Sequence, residues 1–262
     1  MRRAAWSVLP VVGAAGVLCA GWMAACPDAA ACATVVGGSG VAAVAAVIVA
    51  TLLAAWAARL VRVLAVSRRA TSALEVAAPP DELTQAMDRT LIRNVRCLAA
   101  SEPTAFCAGA LQPKLHVSRG LIQILGSDEL DAVLLHEAHH RRRFDPLRRA
   151  MTRSLADVVF FIPVLRWWAD WQIERSELAA DRAVLKRLGP RPLAGALWVV
   201  GQPARPVPAV AFTGAAEVRV AQLFGTPIRR CPPIPVLTSS AMGLMMSVAL
   251  TSCVVHIAAA LR

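Results

Sequence analysis

Tyrosine is absent from all 262 residues, so no phenol can serve anywhere in the chain as an acid or a hydrogen-bond donor. The seven cysteines include no C-x-x-C pair, which excludes a thiolate framework for structural zinc. No internal repeat is visible, which sets repeat architectures aside. Acidic residues are scarce: 28 basic side chains, nearly all arginine, face 17 acidic ones, for a formal charge of +11. What is abundant is apolar. A hydrophobic content of 57% and a mean hydropathy of +0.55 exceed what a soluble enzyme carries. The length leaves room for one ordinary domain plus membrane segments.

Three apolar runs are long enough to cross a bilayer, which takes about 20 residues. The first, residues 8–26, follows Arg2 and Arg3. Arginines, an apolar core and small residues in that order also describe a cleavable leader; a retained anchor is the preferred reading. The second run, residues 41–58, ends in Arg59, Arg62, Arg68 and Arg69, whereas the loop over 27–40 has no basic residue. The positive-inside rule therefore places these arginines, and the chain that follows them, in the cytoplasm of a bacterial cell. Cys26 and Cys32, at and in the exterior loop, are the pair placed to form a disulfide, while Cys97, Cys107 and Cys231 are expected as reduced thiols. The third run, residues 236–260, follows Arg229 and Arg230. The expected molecule is a mostly α, multi-pass membrane protein with three transmembrane helices and a small α+β domain. Its parts are a transmembrane hairpin over 1–70, a cytoplasmic domain over 71–230 and a C-terminal transmembrane helix over 231–262.

The chemistry concentrates in HEAHH, residues 136–140, which fits H-E-x-x-H. On a helix, residues four apart lie on one face, so His136 and His140 can reach one zinc ion, with Glu137 directed at the water that completes such a site. Upstream, Ser127 is the expected N-cap, and Asp128 and Glu129 suit a helix N-terminus. Leu130, Val133 and Leu134 form an apolar stripe that His136, Glu137, His140 and Phe144 continue, which puts the ligands on the inward face. Such a site needs a third protein ligand. In IERSELAADRAVL, residues 173–185, Glu177 and Asp181 share a face with Leu178, Val184, Leu185 and Leu188. Carboxylates on an apolar face are costly unless paired or metal-bound. Glu177 is accordingly the expected third ligand and Asp181 the acceptor that orients His136. The plainer alternatives are two surface histidines on a basic helix, and an acidic edge solvated beside Arg175 and Arg182.

H-E-x-x-H followed by E-x-x-x-D resembles the gluzincin metallopeptidases. The finer pattern, PTAFCAGALQPKLHVSRGLIQIL, DELDAVLLHEAHHRRRFDPLRR and ERSELAADRAV, is similar to the BlaR/MecR-type membrane zinc peptidases over about residues 100–190. The resemblance implies a gluzincin-like domain holding one zinc ion on His136, His140 and Glu177, with Glu137 catalytic and the family's Asp-Pro at Asp145 and Pro146. It further implies that KLHVS, residues 114–118 and the clearest strand, is an edge strand that holds substrate by β-addition. The family's oxyanion donor, a Tyr or His, has no tyrosine to occupy it here, leaving Arg219, in AEVRVAQLF, and His116 as candidates. Regulated proteolysis of a cytoplasmic protein, a repressor of the BlaI/MecI type, is the activity that carries over, with no direct nucleic-acid contact. The rival readings are a membrane scaffold or signalling protein that keeps the fold without turnover, and a general quality-control zinc peptidase of the membrane.

Two further segments bear on topology. LADVVFFIPVLRWW, residues 155–168, is apolar enough for a crossing, but it separates His140 from Glu177 by too little chain for two crossings. It is expected to be a core, interfacial or re-entrant helix. RRRFDPLRRAMTR, residues 141–153, is a dense basic helix suited to anionic lipid headgroups of the bilayer.

Overall fold

The computed structural model describes residues 38–201 and 231–260. In chain order its elements are α1 (Gly38–Ser72), β1 (Val76–Ala77), α2 (Asp81–Thr90), β2 (Val95–Leu98), β3 (Ala105–Ala108), β4 (Lys114–Ser118), α3 (Arg119–Ile124), α4 (Ser127–Arg142), α5 (Asp145–Val158), α6 (Pro163–Leu188), α7 (Pro190–Gly201) and α8 (Ile234–Ala260). The first apolar run, Cys26, Cys32 and Arg219 lie outside the described residues.

The chain divides into two compact units. One gathers residues 38–59, 155–167 and 232–260 of the described chain. The helical stretches Ala45–Ser72 and Ile234–Cys253 are long and apolar enough to cross a membrane. Val47, Val49 and Leu53 on α1, and Met242, Met245 and Val248 on α8, stand exposed, as side chains in lipid contact would. The apolar segment after residue 154 is not one helix. Helix α5 stops at Val158 and α6 begins at Pro163, whose ring disfavours helical backbone at Ile162 before it. Within this unit the break is tied down by side chains: the Val164 N–H donates to Ser240 Oγ at 2.8 Å, and Arg59 pairs with Asp157 at 2.8 Å.

The other unit, residues 60–154, 168–201 and 231 of the described chain, contains a four-stranded sheet in the order β1-β2-β4-β3. β1 runs antiparallel to β2, β2 parallel to β4, and β3 antiparallel to β4 with Phe106 opposite His116. The expectation that KLHVS is an edge strand is thus corrected: as β4 it is interior, and β3 is the edge on that side. Alternation explains the placing. Leu115 and Val117 are completely buried against Leu130, Val133 and Leu134 of α4, with Leu83 of α2 and Leu193 of α7 in the same core. Full burial of such a leucine contributes roughly 1.5–3 kcal/mol. The turn from β4 into α3 allows no side chain at Gly120, where a Cβ would sit 1.8 Å from the carbonyl oxygen of Ser101.

Helix α4 runs through the middle of this core, and two of its end details differ from expectation. Gly126, not Ser127, is the N-cap, and its N–H donates to the Glu129 carboxylate at 2.9 Å. The reach-back from the third helical residue replaces a capping side chain. At the other end Phe144 leaves the inward stripe: it has φ +53° and is 46% exposed. The helix has already ended at Arg142, and Pro146, accepted in a first turn, starts α5.

Candidate metal centre

His136 and His140 project from consecutive turns of α4 into the interior, 8% and 4% exposed, so they are not surface histidines. Glu177 reaches them from α6 and is 8% exposed. On α6 the buried positions are Ala169, Glu177, Ala180, Asp181 and Val184, the last four forming one face that carries two carboxylates among apolar neighbours. Arg175 and Arg182 take no part: Arg175 lies over the Trp171 ring at 4.7 Å, and Arg182 Nε donates to the Leu178 carbonyl at 3.1 Å.

The three side chains converge through their metal-binding atoms. His136 Nε2 lies 3.1 Å from His140 Nε2 and 3.3 Å from Glu177 Oε2, and His140 Nε2 lies 3.4 Å from Glu177 Oε1. Four donors arranged tetrahedrally at ~2.0–2.1 Å from one zinc ion stand about 3.3 Å apart, so the spacing fits that ion. The outward nitrogens are each held by a buried carboxylate. His136 Nδ1 is 3.0 Å from Asp181 Oδ1, and His140 Nδ1 is 2.8 Å from Asp145 Oδ2. A carboxylate on Nδ1 fixes the ring orientation and presents Nε2 toward the centre, as metal-ligating histidines require.

The electrostatics follow from that crowding. Burial alone would lower the His140 pKa, but hydrogen bonds with Asp145 and Glu177, together with the charges of Glu177 and Glu137, outweigh it and raise it to about 9. Burial would likewise push Glu177 up; the two imidazoles instead hold it far below the usual carboxylate range. Asp145 is shifted down as well, against the effect of its burial, by His140 and by Arg149 and Arg148. Two acidic groups, Glu177 and Asp145, kept ionised beside two imidazoles make an interior prepared for a cation.

Beside the donors opens a cavity of about 140 Å³. Its walls are Ala105, Phe106 and Cys107 of β3, Glu137 and His140 of α4, Asp145, Pro146 and Arg149 of α5, and Glu177 of α6. Glu137 is half-buried and faces this space from the position next to His136. Burial, then the Glu137 charge, pushes the Cys107 thiol up to about 12, so it stays protonated. His116 is not brought to the cavity. It is 3% exposed on the sheet face opposite Leu115 and Val117, stacked on Phe106 at 4.9 Å, and its Nδ1 has no hydrogen-bond partner.

Two residues of the site were not read from the sequence as contacts. Asp145 was legible only as half of an Asp-Pro pair; its hold on His140 depends on the chain reversing at Phe144. Arg149, one turn further along α5, pairs with Glu177 and donates to Ser176 Oγ at 2.9 Å. The i, i+4 relation of Asp145 and Arg149 was the available signal. Replacing Asp145 with asparagine should weaken zinc binding about 10–100-fold, the usual cost of losing a group that orients a ligand histidine. Chelator competition on the folded variant measures it; unchanged affinity would mean that His140 needs no such support.

No curated protein matches the chain. A family described as BlaR1 peptidase M56 matches residues 23–192. That stretch takes in well over half of the sequence, including both histidines, Glu137, Glu177 and their carboxylate partners, and by it the chain belongs to the BlaR1 peptidase M56 family of membrane-associated metallopeptidases.

Proposed function

We propose that this protein is a membrane-embedded zinc endopeptidase that cleaves a cytoplasmic protein. The observation that carries the reading is the convergence of His136, His140 and Glu177 at one point of a cavity that Glu137 also faces. Zinc bound there supplies a Lewis acid that polarises a carbonyl and lowers the pKa of water toward ~7. Glu137 takes a proton from the attacking water as its oxygen bonds to the scissile carbonyl carbon and the π pair moves to the carbonyl oxygen. The same carboxyl then delivers the proton to the departing nitrogen as the C–N bond breaks. His136 and His140 would hold the metal, oriented by Asp181 and Asp145.

Strand β3 supports an extended substrate. It is the outer strand of the sheet and its residues form one wall of the cavity, so a peptide added along its free side would pass Glu137. The arginines at 59, 62, 68 and 69 support a cytoplasmic face for the peptidase domain by the positive-inside rule. Family membership supports a transcriptional repressor as the substrate. The purified chain in lipid nanodiscs should cleave such a protein at a defined bond, lose the activity on chelation of its metal, and regain it when zinc is returned. Cleavage that persists through complete metal removal would overturn the reading.

A further inference from the structure

Peptide hydrolysis places negative charge on the former carbonyl oxygen, and catalysis gains most from fixed donors aimed at that oxygen. The donors on hand are few. The chain has no tyrosine, and His116 lies away from the cavity. Both ring nitrogens of His140 are engaged, Nδ1 by Asp145 and Nε2 within the donor cluster. The Cys107 thiol is a weak donor. Among the described residues, Arg149 is the one arginine or lysine lining the cavity.

Its setting makes it more than a bystander. The guanidinium is pinned through Nη2, which donates to Ser176 Oγ at 2.9 Å and to Glu177 Oε1. A planar group held at one nitrogen keeps its remaining N–H bonds in a fixed fork. Of these, the Nε N–H is buried without an acceptor. A buried donor with no partner calls for an explanation, and the side chain, 31% exposed, lines the cavity that substrate would enter. Helix α5 sets the position: Arg149 is four residues beyond Asp145, so the face that supports His140 also delivers the cation.

We propose that Arg149 is the side chain that receives the negative charge on the scissile carbonyl oxygen, in the role that a tyrosine or histidine fills elsewhere. The assignment rests on the peptidase reading above. Anchoring by Glu177 and Ser176 preorganises the guanidinium to meet that oxyanion.

Arg149→Met and Arg149→Lys in the full chain, loaded with zinc in nanodiscs, test this. In Arg149→Met, kcat should fall about 10²–10³-fold, the cost of one oxyanion donor, with KM and zinc affinity within a few-fold of the parent. Affinity for a phosphinic peptide, which mimics the tetrahedral oxyanion, should fall in parallel with kcat/KM. Arg149→Lys keeps the charge without the fork and should recover part of the loss; being the gentler change, it decides the matter if the methionine variant does not fold. Unchanged kcat in the lysine and methionine variants would overturn the proposal. So would activity that returns on adding excess zinc, because Arg149 would then only hold Glu177 in place. If Glu137→Gln also cleaves at the parental rate, the peptidase reading itself has failed, an outcome separate from any result at Arg149.

Discussion

Glu137→Gln should reduce cleavage by about 10²–10⁴-fold while the protein keeps its zinc, because general acid–base catalysis accounts for a factor of that size. Glutamine has the shape of glutamate and keeps a hydrogen-bond acceptor, but it cannot take up the proton that water must lose. Glu137 is next to His136 in sequence yet does not belong to the converging donor set, which consists of His136, His140 and Glu177. It faces the cavity instead, half-buried between the β3 wall and the histidines. The substitution therefore separates chemistry from metal binding. Turnover of a peptide substrate and zinc content by elemental analysis, measured on one preparation, should move apart. Zinc lost together with activity would place Glu137 among the ligands, and activity retained with zinc bound would show that Glu137 is not the general base.

The grouping of His136, His140 and Glu177 was legible because two local rules converge on it. Residues four apart on a helix share a face, and a carboxylate on an apolar face must find a counter-charge. Asp181 was legible for the same reason, lying one turn beyond Glu177. What local rules could not show was where the chain reverses. Phe144 reads as the next position of an inward stripe, but the helix ends two residues earlier and the left-handed backbone at Phe144 turns the following helix back. That reversal brings Asp145 onto His140 and Arg149 onto Glu177, contacts between three helices that no spacing within one helix encodes. The sheet order was hidden for a similar reason. KLHVS reads as a strand from its alternation, but whether it is interior depends on β2 and β3, short segments whose pairing is set by tertiary packing. The exposed apolar faces of α1 and α8, by contrast, were plain from length and hydropathy alone.

His136→Ala and Glu177→Ala should each lose zinc, and in the intact centre zinc affinity should climb with pH. Structural zinc sites bind with ~10–16 kcal/mol over about four donors, so one donor is worth roughly 3 kcal/mol, or about 10²-fold in affinity. Removing Glu177 has the larger effect, because it also strands the Arg149 guanidinium and deprives two imidazoles of their shared counter-charge. The pH dependence follows from His140. Burial works against its protonation, but Asp145 and Glu177 prevail, so the metal-free imidazole holds its proton up to a pKa of about 9. Zinc needs the neutral ring and must expel that proton. Below this pKa the apparent affinity should therefore rise about tenfold per pH unit from His140 alone, and the dependence should flatten above it. Competition with a chelator of known pH behaviour, alongside proton release in weakly buffered solution, measures both quantities. A flat affinity between pH 6 and 8 with no proton released would show that zinc does not displace the proton shared by His140, Asp145 and Glu177, and the three converging atoms would then be a buried ion-pair network instead of a metal centre.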